Sequence, residues 1–260
     1  MLKIIKYSFA DLSRSKWTYV YFFFYLALGF VLLFLNTNIT KAITTLLNVV
    51  IVLTPLIGTI FGIMYYYSSR EFTTLLLSQP VRRRAIFLGQ YIGVAGSLAL
   101  SMAIGLGIPF LSYGLMRSGE IKHFIILLIV GIFLSFIFVA IAFNIGLSQD
   151  NKIKGFSYAI FIWLLLAVIY DGIFLLLLSY FNDYPIDKAA LIGITLNPID
   201  LSRMLILLKL DISALMGYTG AVFKSFFGAS KGMILSMLIL TAWVLLPAWR
   251  ITRKSARKDF

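Results

Sequence analysis

One stretch of this chain, residues Phe124–Leu147, reads FIILLIVGIFLSFIFVAIAFNIGL and contains no charged side chain. An α-helix rises by about 1.5 Å per residue, so this stretch would extend over roughly 36 Å as a helix. The hydrocarbon core of a bilayer is only about 30 Å thick. The stretch therefore predicts a helix that crosses a membrane.

Five further apolar stretches have the same character, and each is bracketed by polar or charged residues. They are Tyr19–Leu35, Ile43–Tyr67, Gly93–Tyr113, Phe156–Phe181 and Gly232–Trp249. Hydrophobic residues make up 61% of the 260 residues, and the mean hydropathy is +0.97. These values exclude an ordinary soluble domain. The sequence predicts an all-α membrane protein in which six transmembrane helices form a single domain over residues 1–260.

Basic residues are distributed unevenly between the two sides of this six-span arrangement. The chain carries a net charge of +13, which in a soluble protein would suggest a nucleic-acid partner. One side holds Lys3, Lys6, Arg14, Lys16, Arg70, Arg82, Arg83, Arg84, Lys152, Lys154, Arg250, Arg253, Lys254, Arg257 and Lys258. The opposite short loops hold only Lys41, Arg117 and Lys122. The positive-inside rule predicts that both termini are cytoplasmic, and no nucleic-acid partner is expected.

An amphipathic helix is predicted at the start of the chain. Leu2, Ile5, Phe9 and Leu12 recur at spacings of three and four residues, which places them on one face of a helix. Basic residues occupy the other faces. Residues 1–18 are therefore predicted to form an elbow that lies on the inner leaflet and leads into the first span.

The connection between the second and third spans, residues 68–90, is long for a helix–helix loop. It contains a charged start, the apolar run Leu75–Leu77, the sequence Ser78-Gln79-Pro80 and three arginines. An apolar run in a polar loop indicates a short helix over Glu71–Gln79 that docks on another protein. Pro80 is expected to end this helix, because proline cannot continue it.

The longest outer connection is residues 182–231. Asn197-Pro198-Ile199-Asp200 is typical of a helix start, with Asp200 as one possible cap. Leu201, Leu205 and Leu208 would then share a face. We expect short helices here that dip into the outer leaflet or are partly re-entrant.

Asp171 is the one acidic residue deep inside an apolar stretch. A carboxylate at a helix centre costs on the order of 3 kcal/mol to insert, so it should face a cavity or a partner, or be protonated. No Lys or Arg lies at the centre of any predicted span, so a cationic partner within the bundle is not evident. We predict that Asp171 is protonated or exposed to water, lies near the membrane midplane and faces the interior rather than lipid. Asp171 belongs either to a transport pathway or gate or to a structural hydrogen bond. Asn144 in the fourth span is the second candidate.

Several chemistries are excluded or disfavoured by composition. The chain has no Cys, which excludes disulfides, thiolate metal sites and a Cys nucleophile. Its single histidine, His123, cannot build an ordinary zinc site alone. No nucleotide-binding loop and no Ser/His pair within a span is present. We therefore expect no catalytic residue, no metal site and no cofactor on this chain.

Two motifs resemble a known family. The segment from Glu71 to Gly89, with LLLSQPVR at 75–82 and IFLG at 86–89, resembles the cytoplasmic coupling region of ABC-2 type transporter permeases. The sequences NPIDLSRM at 197–204 and GYTGAVF at 217–223 resemble the permease subfamily associated with maturation of nitrous oxide reductase. The resemblance extends over essentially the whole chain.

The resemblance implies both partners and site residues. It implies a homodimer in the bacterial inner membrane, a separate cytoplasmic ATPase that binds ATP and Mg²⁺, and a periplasmic accessory protein. The exported component would serve assembly of the copper site of a periplasmic nitrous oxide reductase. The residues that it assigns to ATPase coupling are Glu71, Leu76, Leu77, Gln79, Pro80 and Arg82. The residues of its outer-loop motif are Asn197, Pro198, Asp200 and Arg203.

Two other classes stay open on the sequence. A proton-coupled secondary transporter could use Asp171 as its proton site, and it would be expected to contain an inverted internal repeat. Asp171 has no counterpart in the first three spans, which disfavours this class. The other alternative is a membrane scaffold for a metalloenzyme assembly complex that transports nothing.

Overall fold

The computed structural model describes residues 2–36, 38–181, 187–209 and 218–257, with backbone alone at 187–188, 209, 218–231 and 257. Nearly all of these residues are helical, and none of them lies in a β-strand. Six helices are long and apolar enough to cross a membrane. The predicted all-α membrane fold is therefore confirmed.

The helices are numbered along the chain. They are α1 (Leu2–Ser13), α2 (Lys16–Leu35), α3 (Ile39–Ser68), α4 (Arg70–Leu77), α5 (Arg83–Ser112), α6 (Ile121–Ser148), α7 (Lys152–Leu164), α8 (Tyr170–Tyr180), α9 (Asp187–Leu196), α10 (Pro198–Lys209) and α11 (Tyr218–Arg257). A π-helical turn over Leu165–Ile169 joins α7 to α8, and together they form the fifth span.

Helix α6 lies at the centre of the bundle and contacts α3, α5, α10 and α11. It is the most apolar span, and small residues on its neighbour allow a close approach. A Cβ on Gly62 of α3 would lie 2.9 Å from the Cβ of Ala142 and 3.3 Å from the Cα of Val139. Close backbone approach gives dense dispersion contacts, which stabilise helix pairs inside a membrane.

Helix α1 packs along the start of α5. Its buried residues are Ile4, Ser8 and Leu12, whereas Leu2 is exposed. Gly93 makes this contact possible, because a Cβ there would lie 2.7 Å from the Cβ of Ser8. The face of α1 that contacts protein is thus centred on Ile4 and Ser8, one residue before the predicted Ile5 and Phe9. On that side, glycines of α5 leave room for the α1 backbone. The end of the bundle formed by α1, α4 and the last turns of α11 is called the proximal end.

The last helix differs from the prediction. Helix α11 begins at Tyr218, so 14 residues that were assigned to the outer connection 182–231 belong to it (218–231). It has 40 residues and extends over roughly 60 Å. It therefore projects beyond a hydrocarbon core of about 30 Å.

Helices α9 and α10 form a hairpin with a bend of 109° at Asn197. Together they are apolar enough to count as one broken span or as a re-entrant loop. Residues Ile199, Leu201 and Leu205 are almost completely buried. The α9–α10 hairpin is therefore inserted among α3, α6 and α11 and is not spread on the surface.

Candidate functional site

A cavity of about 320 Å³ lies between the α9–α10 hairpin, α8 and the first turns of α3. This is the end of the bundle away from the proximal end, and we call it the distal cavity. Most of its wall is apolar, but several polar side chains face it. The residues that line it are Thr44, Leu47, Asn48, Asp171, Phe174, Leu175, Ile194, Asp200, Arg203 and Leu207.

Three charged side chains meet at the wall of this cavity. Arg203 Nη1 donates to Asp171 Oδ2 at 3.2 Å and lies 3.7 Å from Asp200 Oδ1. The side chains of Arg203 and Asp171 are 24% and 31% exposed, and that of Asp200 is 4% exposed. One guanidinium therefore forms ion pairs with two carboxylates in a largely dehydrated environment, where charge interactions are stronger than in water.

This geometry corrects the sequence expectation for Asp171. No cationic partner for Asp171 was evident from the sequence, but the structure places Arg203 beside it. The partner comes from α10, which is not one of the six predicted spans, so the absence of Lys and Arg from the span centres does not apply to it. Asp171 faces the cavity, and its partner Arg203 belongs to the outer-loop motif that the resemblance singled out.

Asn197 shapes the hairpin that carries Arg203. Asn197 Oδ1 accepts from Ile199 N at 3.0 Å, so Asn197 caps α10. Pro198 takes the first helical position, where its missing N–H is not needed, and it disfavours a helical conformation at the residue before it. Asp200 is not the cap, because its Oδ2 accepts from Asn197 Nδ2 at 2.8 Å. The Asn-Pro pair thus sets both the bend and the position of Asp200.

A third hydrogen bond of the Asn197 side chain fastens the hairpin to the fifth span. The Tyr170 N–H donates to the carbonyl of Leu165, five residues earlier, as in a π-helix. In the same turn, the carbonyl of Leu166 accepts from Asn197 Nδ2 at 2.8 Å. The π-helical turn thus provides an acceptor for the hairpin directly before Asp171.

Tyr170 adds a further contact between the same two elements. Its hydroxyl donates to the Gly193 carbonyl at 2.6 Å. The backbone of Gly193 approaches α8 closely, because a Cβ there would lie only 2.2 Å from Phe174 Cε2. Tyr170 is one of the hydroxyl groups that the sequence offered as a partner for Asp171, but it donates to Gly193 instead. Thr44 and Asn48, which line the cavity, were not singled out from the sequence. The signal that could have identified these residues is a polar side chain within an apolar helix, and the structure shows that both face the cavity.

Asn144, the second candidate, lies away from this site. Its Nδ2 donates to the carbonyls of Ala140 at 2.8 Å and Pro247 at 2.9 Å. Lys254 Nζ donates to the Asn144 carbonyl at 3.1 Å and to Ser148 Oγ. Asn144 therefore joins α6 to α11 near the proximal end and does not line the distal cavity.

A helix is also present in the segment between the second and third spans. Glu71, Leu76 and Leu77 lie in α4, and the helix ends at Leu77. Gln79 and Pro80 follow it in a non-helical turn, and Arg82 is the exposed residue that precedes α5. Leu76 and Leu77 are half-buried, whereas Leu75 is 67% exposed. Leu75 is therefore the apolar residue of α4 most available to a partner.

Helix α4 is held to the bundle by specific contacts. Gln90 Nε2 on α5 donates to Thr73 Oγ1 at 2.8 Å, and both side chains are buried. The rings of Phe72 and Tyr7 stack with their centroids 4.5 Å apart, which links α4 to α1. One face of α4 is thus fixed, and the opposite face is exposed.

Within the described ranges, no group of three or more His, Cys, Asp or Glu side chains is placed to hold a metal ion. His123 lies instead beside Glu120, with Nδ1 2.5 Å from Oε2. The polar side-chain groups of the distal cavity are two carboxylates, one guanidinium, one hydroxyl and one amide. These groups suit charge pairing and hydrogen bonding.

These features define the chain as a multi-pass helical membrane protein in which charged side chains of the α9–α10 hairpin and of the fifth span meet at one cavity. No family profile matches it. It is 26% identical over 224 residues to a probable ABC transporter permease protein NosY of Stutzerimonas stutzeri, covering 82% of this chain and 76% of the relative. It is also 26% identical over 189 residues to a protein of the same name from Pseudomonas aeruginosa, covering 70% and 68%.

These relatives confirm the resemblance to NosY-type ABC permeases that the two sequence motifs indicated. They support a permease subunit of an ABC transporter in preference to an enzyme. The six apolar helices agree with a multi-pass protein of this kind.

Proposed function

We propose that this chain is the membrane subunit of an ATP-driven exporter that supplies a component for the copper site of periplasmic nitrous oxide reductase. The observation that carries the transport proposal is the Asp171–Arg203–Asp200 cluster at the wall of the distal cavity. Such partly buried charges inside a span are costly and are usually functional. The role in copper-site assembly rests on the motif resemblance alone.

In this proposal two copies of the chain form the transport path in the inner membrane, with both termini in the cytoplasm. A cytoplasmic ATPase binds the proximal end, and a periplasmic accessory protein receives the component at the other end. The positive-inside asymmetry supports the orientation. The resemblance supports the homodimer, the ATPase and the accessory protein.

The charged cluster is proposed to be the gate. Asp171 belongs to the fifth span, whereas Arg203 and Asp200 belong to the α9–α10 hairpin. Separating the hairpin from α8 therefore requires that the Arg203–Asp171 contact be broken and that both charges be rehydrated. Such a contact makes two discrete arrangements possible, one closed and one open, which is what a gate needs.

Helix α4 is proposed to transmit the motion of the ATPase. Its exposed Leu75 would insert into an apolar groove of the ATPase, with Glu71, Gln79, Pro80 and Arg82 around it. Thr73 on the opposite face would pass the displacement to Gln90 of α5 through their hydrogen bond of 2.8 Å. The coupling is thus a rigid-body movement of a small docked helix.

The gate is tested with Asp171→Asn and Asp171→Leu in the complete transporter. Asn keeps the size and hydrogen-bonding capacity of the side chain but removes its charge. We expect Asp171→Asn to insert normally and to lose substrate-dependent ATP turnover and nitrous oxide reductase maturation. If Asp171→Asn keeps full activity while Asp171→Leu only lowers expression, Asp171 has a structural role and the gate assignment is wrong.

The coupling helix is tested by co-purification with the proposed partner ATPase. Leu75→Asp and the double variant Leu76→Asp/Leu77→Asp are expected to weaken binding and abolish stimulated turnover. Ile153→Asp is the matched control, because Ile153 is 77% exposed at the same end of the bundle but lies outside α4. Unchanged binding in the α4 variants would refute the docking role.

Reconstituted vesicles separate the transporter classes. An ABC permease requires ATP and the partner ATPase for any transport. Substrate movement that is driven by a proton gradient without the ATPase would instead establish the secondary transporter. Normal enzyme maturation with an ATPase that cannot hydrolyse ATP would favour the scaffold.

A further inference from the structure

We propose that the chain carries a binding site for an anionic phospholipid in a lateral groove between α6, the fifth span and α11. The groove has a volume of about 780 Å³ and is separate from the distal cavity. Its wall is formed by Ile141, Asn144, Ile145, Ser148, Gln149, Tyr158, Ile162, Thr195, Leu196, Ile239, Ala242, Trp243, Leu246, Pro247, Trp249, Arg250 and Lys254.

The groove is apolar along most of its length. Ile239, Ala242, Trp243 and Leu246 recur on α11 at spacings of three, one and three, which places them on one helix face. The distance along α11 from Ile239 to Lys254 is 15 residues, or roughly 22 Å. One leaflet of a bilayer contributes about 15 Å of hydrocarbon, so the groove is long enough for the acyl chains of one leaflet.

The polar and charged groups of the groove are concentrated at its proximal end. Arg250 and Lys254 line this end, and among the described residues that line the groove none is acidic. Lys254 Nζ is held there by the Asn144 carbonyl and by Ser148 Oγ. Asn144 Oδ1 is buried at the same place without a hydrogen-bond partner among the described residues. The two cations Arg250 and Lys254 fit the phosphate of an anionic headgroup.

Aromatic residues mark the depth at which a headgroup would lie. Trp249 is 52% exposed at the groove, and the guanidinium of Arg253 lies 3.8 Å from the centre of its ring. Tyr158 lines the facing wall and is 51% exposed. Tyr and Trp are enriched at the membrane–water boundary, because their rings are both apolar and polar.

A phospholipid fits this distribution better than a helix of a second copy. Basic pockets between transmembrane helices at one face of the membrane are suited to anionic headgroups. A helix from a second copy would fill the apolar length but would leave Arg250 without an anion. The geometry therefore points to a phosphatidylglycerol-like lipid, with its phosphate between Arg250 and Lys254 and its acyl chains along α11.

Trp249 provides a direct readout of lipid in the groove. Trp17, Trp163 and Trp243 are replaced by Phe, and the protein is placed in phosphatidylcholine nanodiscs that contain increasing fractions of brominated phosphatidylglycerol. Bromine quenches tryptophan fluorescence at short range. Each basic residue near a membrane surface contributes about 1 kcal/mol to anionic lipid binding. We therefore expect about thirtyfold tighter apparent binding than for brominated phosphatidylcholine, equivalent to about 2 kcal/mol.

Two variants and one control decide the outcome. Arg250→Gln/Lys254→Gln is expected to reduce the preference to within about threefold, whereas Arg82→Gln/Arg84→Gln, with the same change of charge elsewhere, should keep it. Ala242→Phe should lower binding by filling the groove, with both cations intact. Equal quenching by the two lipids, or a preference that survives in Arg250→Gln/Lys254→Gln, would overturn the proposal. If neither brominated lipid quenches Trp249 and cysteines placed across the groove cross-link two copies, a second chain occupies the groove and the lipid proposal is wrong.

Discussion

Replacement of Arg203 by Gln is the sharpest test of the charged cluster. At an effective dielectric constant of about 20, two unit charges 3.2 Å apart attract by roughly 5 kcal/mol, before the cost of dehydration is subtracted. Exposed pairs keep about 0.2–1 kcal/mol of this, and removal of one partner from a buried pair costs about 3–5 kcal/mol. The exposures of 24% and 31% place this pair between these limits. We therefore expect Arg203→Gln to lower the free energy of unfolding by about 2–3 kcal/mol.

The loss of unfolding free energy should depend on whether the cation or one of the carboxylates is removed. Arg203→Gln leaves the Asp171 and Asp200 carboxylates facing each other without a cation. Asp171→Asn leaves Arg203 paired with Asp200, and its expected cost is only about 1 kcal/mol. The double variant Arg203→Gln/Asp171→Asn removes both members of the ion pair. Its loss of unfolding free energy should therefore be smaller than the sum of the two single-variant losses by about 1–2 kcal/mol.

Unfolding in mixed micelles with increasing SDS, followed by circular dichroism, measures these differences. The matched control is Arg70→Gln. Arg70 lies 3.2 Å from Asp150, the same distance, but the two side chains are 43% and 74% exposed. Its expected loss is therefore below about 1 kcal/mol. The reasoning is refuted if Arg203→Gln costs no more than Arg70→Gln, or if the losses at Arg203 and Asp171 simply add.

Two further predictions concern the hairpin contact and the orientation of the chain. Gly193→Ala should destabilise the protein by about 1–3 kcal/mol, because its Cβ would lie 2.2 Å from Phe174 Cε2. Gly172→Ala, where a Cβ would meet nothing within 4 Å, should leave the unfolding midpoint unchanged or raise it slightly, and equal losses in the two variants would contradict this. A cysteine at Arg83 should react with an impermeant maleimide only from the cytoplasmic side, and one at Lys122 only from the periplasmic side. Labelling of position 83 from the periplasm would disprove the orientation.

The positions of the transmembrane helices were predictable because they follow from composition alone. A stretch such as Phe124–Leu147 is too apolar for water and long enough for the bilayer, so it must be a membrane-crossing helix whatever its neighbours are. The observed α6, Ile121–Ser148, differs from the prediction by a few terminal residues. The extension of α11 back to Tyr218 was missed, because glycines and polar residues interrupt the apolar pattern there.

The sequence by itself thus determined six apolar helices of membrane-crossing length, and it singled out Asp171 and the Asn197–Arg203 motif as separate features. The tertiary structure alone decided that they form one site. Asp171 and Arg203 are 32 residues apart, and they meet because Asn197 bends the hairpin and hydrogen-bonds to the carbonyl of Leu166 in the π-helical turn. Apolar periodicity specifies which residues leave water, since that depends on each residue's own transfer free energy. It does not specify which buried polar groups pair, since that depends on the geometry of helices that are distant in the chain.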